Sequence, residues 1–215
     1  MKDLNENVSR RAVLKIMTSS TLASLAAFQF GSVINSAQAA DIKLVLLYAT
    51  KYGATRDTAR WIGEGLGRPV DIVNIKEISG IKNYKHSNIK FILGCAVFKE
   101  GPMKEMLQFV QKHVAVLNGQ VAATYIVCGT PANNAKNKQR IAAYLAQLNN
   151  LLPQPPDLSR HFGGRLIVSK LTAEDREALM RFYAKVAKKS LQDWDRTDPV
   201  LAKNFAQQMQ TLISS

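Results

Sequence analysis

A segment between residues 46 and 62 combines the residue types that bind a phosphate group. An apolar run ends at Tyr48, and the turn after it carries Thr50, Gly53 and Thr55 before helical spacing begins. The backbone N–H groups of such a turn and the positive end of the helix dipole point to one place, which suits an anion. Threonine hydroxyls add donors, and glycine lets the backbone approach closely. The spacing predicts a phosphate-binding loop made of Thr50, Lys51, Tyr52, Gly53, Ala54 and Thr55.

Two basic residues lie in or beside this loop. Lys51 is part of it, and Arg56 follows it directly. Both charges favour a bound phosphate. The alternative is that Thr55 only caps the following helix, since threonine is a common N-cap residue. The strand–turn–helix context favours phosphate binding over that alternative.

The elements around the loop alternate between strand and helix. Apolar runs bounded by turn residues predict five strands, at residues 42–48, 70–75, 90–95, 121–128 and 163–171. Helical spacing predicts five helices, at residues 55–66, 103–117, 137–148, 173–190 and 199–213. Strands separated by helices pair in parallel with right-handed crossovers. We therefore expect an α/β fold with a doubly wound five-stranded parallel sheet, order 2-1-3-4-5, and extra C-terminal helices.

A ligand of such a sheet binds beyond the carboxyl ends of the strands, where the strand order reverses. The loops after the third and fourth strands also reach that edge. They contribute six more candidate contact residues: Cys95, Ala96, Val97, Phe98, Gly129 and Thr130.

The segment 46–62 resembles the signature of the flavodoxin family. In that signature a strand is followed at fixed offsets by an aromatic residue, a hydroxyl residue, a small residue and a threonine, and then by Ala and an aliphatic residue. The matching residues here are Tyr48, Thr50, Gly53, Thr55, Ala59 and Ile62. The resemblance implies that the loop binds the phosphate of FMN and that the two later loops flank the isoalloxazine ring. It makes Tyr52 and Phe98 the best candidates to stack on the ring, although loop packing is an equal alternative for both.

Later segments are similar to one branch of this fold family, the menaquinone-dependent protoporphyrinogen oxidases. The similarity rests on residues 94–98, 109–113, 193–194 and 204–206. It implies an FMN oxidoreductase that passes electrons to a quinone. Two alternatives stay open: an electron carrier for a redox protein partner, and an FMN-free subunit that acts in binding or assembly. No catalytic residue besides the flavin can be assigned.

Residues 1–39 have the features of a twin-arginine export signal. Arg10 and Arg11 lie in the motif Ser9–Lys15, a weakly apolar stretch occupies residues 16–34, and an A-x-A cleavage site ends at Ala39. This order predicts export to the periplasm by the twin-arginine route, with membrane association as an open question. The flavodoxin-like domain is expected at residues 42–213.

The chain has a formal net charge of +13 at pH 7, which attracts anionic partners. Its basic residues are spread along the sequence without a nucleic-acid-binding motif, so we expect no nucleic acid partner. Residues 179–191 mix an apolar stripe with lysines. That pattern favours a helix docked on the sheet, and an anionic membrane surface is the alternative.

The two cysteines and three histidines show no metal-ligand spacing, so we expect no metal. Cys95 and Cys128 are expected at the ends of adjacent strands. Buried free thiols are the preferred interpretation, and a disulfide in an oxidising compartment is the alternative.

Overall fold

The first strand lies in the interior of the sheet, and its side chains are apolar on both faces. The computed structural model describes residues 42–84 and 88–214. In it, strand β1 spans Lys43–Ala49, and every residue from Leu44 to Ala49 is buried. It pairs in parallel with β2 (Val70–Asn74) on one side and β3 (Ile89–Ala96) on the other. A strand buried on both faces is typical of a parallel sheet covered by helices.

The sheet has five parallel strands in the order β2-β1-β3-β4-β5, as the sequence predicted. The other strands of this sheet are β2 (Val70–Asn74), β3 (Ile89–Ala96), β4 (Val121–Cys128) and β5 (Leu158–Gly163). Its crossover helices are α1 (Ala54–Leu66), α2 (Lys104–Leu117) and α3 (Ala135–Asn149). Short 3-10 turns occur at Ile75–Glu77, Lys82–Tyr84 and Val168–Lys170.

Both faces of the sheet are covered by helices. On one face α1 packs with the C-terminal helix α5 (Pro199–Ser214) over Leu44, Leu46 and Tyr125. On the other face α2 covers the side chains of Val45, Leu47 and Phe91, which belong to a second apolar cluster. Because all five strands run parallel, the loops that follow them emerge at the same carboxyl edge of the sheet.

The fifth strand was predicted at residues 163–171, and this prediction is wrong. The strand is Leu158–Gly163, which pairs with β4 from Ala123 to Cys128. Its residues are more polar than those of a typical buried strand. A network of side-chain hydrogen bonds compensates for this polarity. Ser159 Oγ lies 2.8 Å from Thr124 Oγ1 and accepts a hydrogen bond from Asn149 at 2.9 Å. Partners supplied by neighbouring elements make a polar strand tolerable, and the sequence of the strand does not show them.

After β5 the chain forms a small layer above the carboxyl edge. Strands β6 (Arg165–Leu166) and β7 (Trp194–Asp195) pair antiparallel, and helix α4 (Ala173–Phe182) lies between them in the sequence. A π-helical turn, Tyr183–Ala187, continues α4. The helix predicted at 173–190 is therefore present in part. In the part of the chain that the structure describes, every helix is too short or too polar to cross a bilayer.

Candidate cofactor site at the carboxyl edge of the sheet

The loop between β1 and α1 is stabilised by a hydrogen bond between two of its own residues. The Gly53 N–H donates to Thr50 Oγ1 over 3.0 Å. Gly53 has φ 93°, a left-handed conformation that glycine adopts without steric cost. The helix then begins at Ala54 with no side-chain cap. The N–H groups of the first helical turn therefore have no acceptor within the helix, and they face the carboxyl edge of the sheet.

Thr55 carries the strongest sign of a ligand in this loop. Its side chain is fully buried, and its Oγ1 has no hydrogen-bond partner. A buried hydroxyl without a partner costs about 1–3 kcal/mol, so such groups are rare unless something else satisfies them. The alternative that Thr55 caps the helix is wrong, because the N-cap residue is Gly53. An anion bound by the open amides would give the Thr55 hydroxyl an acceptor.

Lys51 and Tyr52 are both bound by a residue that sequence analysis did not assign to the site. Asp175, at the start of α4, is 2% exposed. The Lys51 ammonium lies 2.5 Å from Asp175 Oδ2, and the Tyr52 hydroxyl donates to the same oxygen. The positive charge expected to face the phosphate is therefore paired with a carboxylate. The Tyr52 ring lies against α4 through this bond, as in the loop-packing alternative.

The pKa values of this pair follow from its burial and hydrogen bonds. Burial alone would raise the pKa of Asp175, but the hydrogen bonds from Lys51 and Tyr52 outweigh it and the pKa is lowered. Burial alone would lower the pKa of Lys51, and the hydrogen bond to Asp175 raises it instead. Both groups are therefore charged at neutral pH.

Phe98 lies in the loop after β3 and is covered by the same lysine. The Lys51 Nζ is 4.0 Å from the centroid of its ring, and Lys99 Nζ is 5.5 Å away. Cations over an aromatic face are held by the ring quadrupole. A flavin that stacked on this face would have to replace Lys51. Phe98 is therefore brought next to the phosphate loop, but its ring already has a partner.

The tip of this loop has a strained backbone that α3 holds in place. Lys99 and Glu100 have φ values of 51° and 67°, which non-glycine residues rarely adopt. Glu100 Oε2 accepts a hydrogen bond from the Tyr144 hydroxyl over 2.8 Å and pairs with Arg140 at 3.5 Å. Burial, followed by the bond to Glu100, raises the pKa of Tyr144 to about 12. Strain of this kind persists where surrounding contacts enforce it, often beside a ligand.

The loop after β4 is covered by the layer that follows β5. A Cβ atom built on Gly129 would lie 2.7 Å from Trp194 Cη2, so only glycine fits under that indole. The Gly129 carbonyl accepts a hydrogen bond from the Arg196 guanidinium, which also stacks on Trp194 at 4.7 Å. The Thr130 carbonyl accepts from the Cys128 thiol over 3.8 Å. Gly129 and Thr130 thus lie at the predicted edge, and Gly129 lies beneath Trp194.

The remaining predicted contacts, Cys95, Ala96 and Val97, lie where β3 ends. The Ala96 carbonyl accepts from the Met103 N–H over 3.0 Å, and the Val97 N–H donates to Val127 over 2.9 Å. These backbone groups are engaged in the sheet and its turn. The Cys95 side chain is fully buried in the α2-side core. Only its backbone reaches the edge, because alternate residues of a strand face opposite sides.

Both cysteines are free and buried, as the preferred interpretation held. Burial raises the pKa of Cys95 to about 12 and also raises the pKa of Cys128. Since the thiolate is the reactive form, we expect Cys95 to react about a thousandfold more slowly with Ellman's reagent at pH 8 in the folded chain than in the unfolded one. Titration of the unfolded chain should count two thiols whether or not reductant was added. A thiol count that rises when reductant is added would instead indicate a disulfide between Cys95 and Cys128.

Three groups of residues at this site were not predicted from the sequence. Asp175 lies in the first turn of α4, where its N–H donates to Thr172 Oγ1 over 3.2 Å. Trp194 and Arg196 cover the β4 loop. Arg165 pairs with Asp57 of α1 over 2.6 Å. The sequence shows that Asp57 and Asp175 lie in the first turns of two predicted helices, but it does not show which residues they contact.

The family is decided by comparison with known domains. A family model described as a flavodoxin domain matches residues 45–193. This chain belongs to the flavodoxin domain family. The matched residues include the phosphate loop, both later loops and α4, which carries Asp175. No curated protein sequence matches the chain.

Solved flavodoxins resemble this flavodoxin domain at low identity. Oxidised Flavodoxin 1 from Bacillus cereus is 16% identical, covering 68% of this chain and 97% of its own, with a TM-score of 0.39. A flavodoxin from the domain Archaea is 13% identical, covering 78% and 99%, with a TM-score of 0.43. A Fusobacterium nucleatum flavodoxin bound to flavin mononucleotide is 12% identical, covering 80% and 96%, with a TM-score of 0.44.

Proposed function

We propose that this flavodoxin domain binds FMN and works as an exported oxidoreductase or electron carrier. The observation that supports FMN most directly is the Thr55 hydroxyl, which is buried and has no partner within the protein. It lies in the first turn of α1, whose N-cap is a left-handed glycine without a side chain to close the helix. These donors fit a phosphate monoester, the group that distinguishes FMN from riboflavin.

Two regions of the site would bind different parts of the cofactor. Thr50, Gly53 and Thr55 would hold the phosphate through amides and hydroxyls. The isoalloxazine ring would lie between the loops that carry Phe98 and Gly129. Bound FMN would supply the redox chemistry, while the protein positions it and excludes water. Lys51 contributes no free charge to the phosphate, because Asp175 neutralises it.

The proposal is tested by comparing two flavins on one protein. We expect the purified full chain to bind FMN at least about a hundredfold more tightly than riboflavin, because several charge-assisted hydrogen bonds depend on the phosphate. Quenching of flavin fluorescence during titration measures both affinities. Equal affinities would contradict phosphate binding by the loop.

An FMN-free binding or assembly subunit is the second candidate, and one observation favours it. Lys51 occupies a face of Phe98, and Trp194 covers Gly129, so two predicted flavin contacts already have protein partners. The same titration separates the candidates. A chain that binds neither flavin, and carries none when purified, would support the subunit and contradict the FMN proposal.

The direction of electron flow and the compartment are proposals that rest on the sequence. The similarity of residues 94–98 and 193–194 to quinone-linked protoporphyrinogen oxidases supports a quinone as electron acceptor, with a redox protein as the alternative. The arginine pair and A-x-A site of residues 1–39, which lie outside the described residues, support periplasmic export. Export would separate the protein from cytoplasmic porphyrinogen, so we propose another reduced donor. Fractionation of cells that produce the full chain tests the compartment.

A further inference from the structure

The segment that follows Asp175 buries none of its residues. Asp175 is the one buried residue of α4, and the π-helical turn has none. The prediction that this helix docks on the sheet is therefore wrong, because only Asp175, in the first turn, is buried among the residues of α4 and the π-helical turn. Large apolar side chains are left in solvent: Met180 is 55% exposed, Phe182 44% and Val186 67%. An ordinary surface helix buries such residues.

The same segment carries a local excess of positive charge. From residue 178 to residue 191 it has no acidic residue and four basic ones, Arg181, Lys185, Lys188 and Lys189. Arg181 pairs with Glu177 at 2.5 Å. The three lysines have no ion-pair partner among residues 42–84 and 88–214. Their charge is therefore available to an anionic partner.

A surface groove of about 760 Å³ runs along this segment. Its apolar lining is formed by Val168, Met180, Ala184 and Leu191, and Lys188 and Lys189 line it as well. Apolar walls beside ammonium groups match an amphiphile with an anionic head.

We propose that residues 176–191, here termed the basic segment, dock on an anionic lipid bilayer. Protein interfaces are depleted in lysine, whereas interfacial helices combine exposed Phe or Leu with lysines that reach the headgroups. The charge and the apolar exposure of the basic segment therefore fit a lipid surface better than a protein. The docking does not depend on the flavin, but it complements a quinone acceptor, because quinones are dissolved in membranes.

The basic segment is attached to the candidate cofactor site at two points. Asp175 joins its start to the phosphate loop through Lys51 and Tyr52. The Trp194 indole N–H donates to the Tyr183 hydroxyl over 2.9 Å, and Trp194 covers Gly129. Docking through the basic segment would therefore bring the carboxyl edge of the sheet towards the bilayer.

Vesicle binding of two charge-matched variants tests the electrostatic part. The full chain is sedimented with vesicles of phosphatidylcholine, with or without phosphatidylglycerol. We expect the variant K185Q/K188Q/K189Q to bind the anionic vesicles at least about tenfold more weakly than the unchanged chain. The control K112Q/K136Q/K138Q loses the same charge from exposed positions on α2 and α3, and its binding should change much less. Equal losses in both variants would overturn the proposal in favour of diffuse attraction.

A tryptophan probe tests the insertion and is independent of any binding by residues 1–39. We expect the emission of F182W to shift to the blue and to be quenched by brominated lipid, relative to K138W, which carries its probe on α3. Both variants retain Trp61 and Trp194 as a common background. Identical quenching in the two variants would overturn the proposal. The proposal would also be overturned by concentration-dependent dimerisation through Phe182 without vesicle binding, which would identify a second copy of the chain as the occupant.

Discussion

Replacing Thr55 with valine is expected to weaken FMN binding about 10- to 100-fold while making the flavin-free protein more stable. The lost hydrogen bond to a charged phosphate is worth about 1.5–3 kcal/mol, which sets the affinity change. Without ligand the Thr55 hydroxyl is buried and unpaired, so its removal should raise the free energy of unfolding by about 1–3 kcal/mol. Flavin titration and urea denaturation measure the two effects.

Thr58 provides the matched control. It is also buried in α1, but its hydroxyl donates to the Ala54 carbonyl over 3.0 Å. T58V should leave FMN affinity within about threefold of the unchanged chain, and it should gain no stability, because it removes a satisfied group. If T55V changed neither the affinity nor the stability, the assignment of the phosphate loop would fail. A loss of affinity in T58V equal to that in T55V would indicate a general effect on α1.

Replacing Asp175 with asparagine is expected to lower the free energy of unfolding by about 1–3 kcal/mol at neutral pH. Breaking a buried ion pair costs about 3–5 kcal/mol, but the side chain of Lys51 is 34% exposed and water can solvate it, which reduces the loss. D71N is the control, because the Lys43–Asp71 pair is about half exposed on both sides and should contribute less than about 1 kcal/mol. Equal losses of stability in D175N and D71N would mean that the burial of Asp175 adds nothing to the stability contributed by its ion pair.

The effect of D175N should also depend on pH. The pKa of Asp175 is lower in the folded protein than in the unfolded chain. A carboxyl with a depressed folded pKa contributes stability that is fully present above its unfolded pKa, at about 4, and is lost as the pH falls through the folded pKa. The difference in stability between the unchanged chain and D175N should therefore be constant near neutral pH and shrink below about pH 4. Urea denaturation across this range measures it.

The pairing of Lys51 with Asp175 changes the expected electrostatics of the phosphate loop. A lysine inside such a loop would ordinarily attract the phosphate as a free charge. Here the ammonium and the carboxylate cancel, and Arg56 pairs with Asp57 at 3.4 Å. The attraction is therefore left to backbone amides and threonine hydroxyls. These donors depend on geometry more than on long-range charge. We therefore expect the loop to distinguish phosphate from other anionic groups mainly by the arrangement of its hydrogen-bond donors.

The sequence was informative wherever the signal was local. The spacing from Tyr48 to Ile62 predicted a strand, a turn and a helix, and the structure places β1, the loop and α1 there. Alternating apolar runs and helical stretches predicted the strand order 2-1-3-4-5, which is confirmed. The fifth strand was misplaced because its polarity is compensated by Thr124 and Asn149, which lie on other elements.

By itself, then, the sequence of this protein determined the parallel sheet, its order and the loop that could bind a phosphate. The strands, the helices and the loop follow from periodicity and turn chemistry within a dozen or so residues. The strand order follows from the doubly wound pattern that alternating strands and helices adopt. Only the tertiary structure decided that Asp175 binds Lys51 and Tyr52, that Trp194 covers Gly129, and that the Thr55 hydroxyl has no partner. The Tyr52–Asp175 bond joins residues 123 positions apart, and such contacts depend on how the layers pack together.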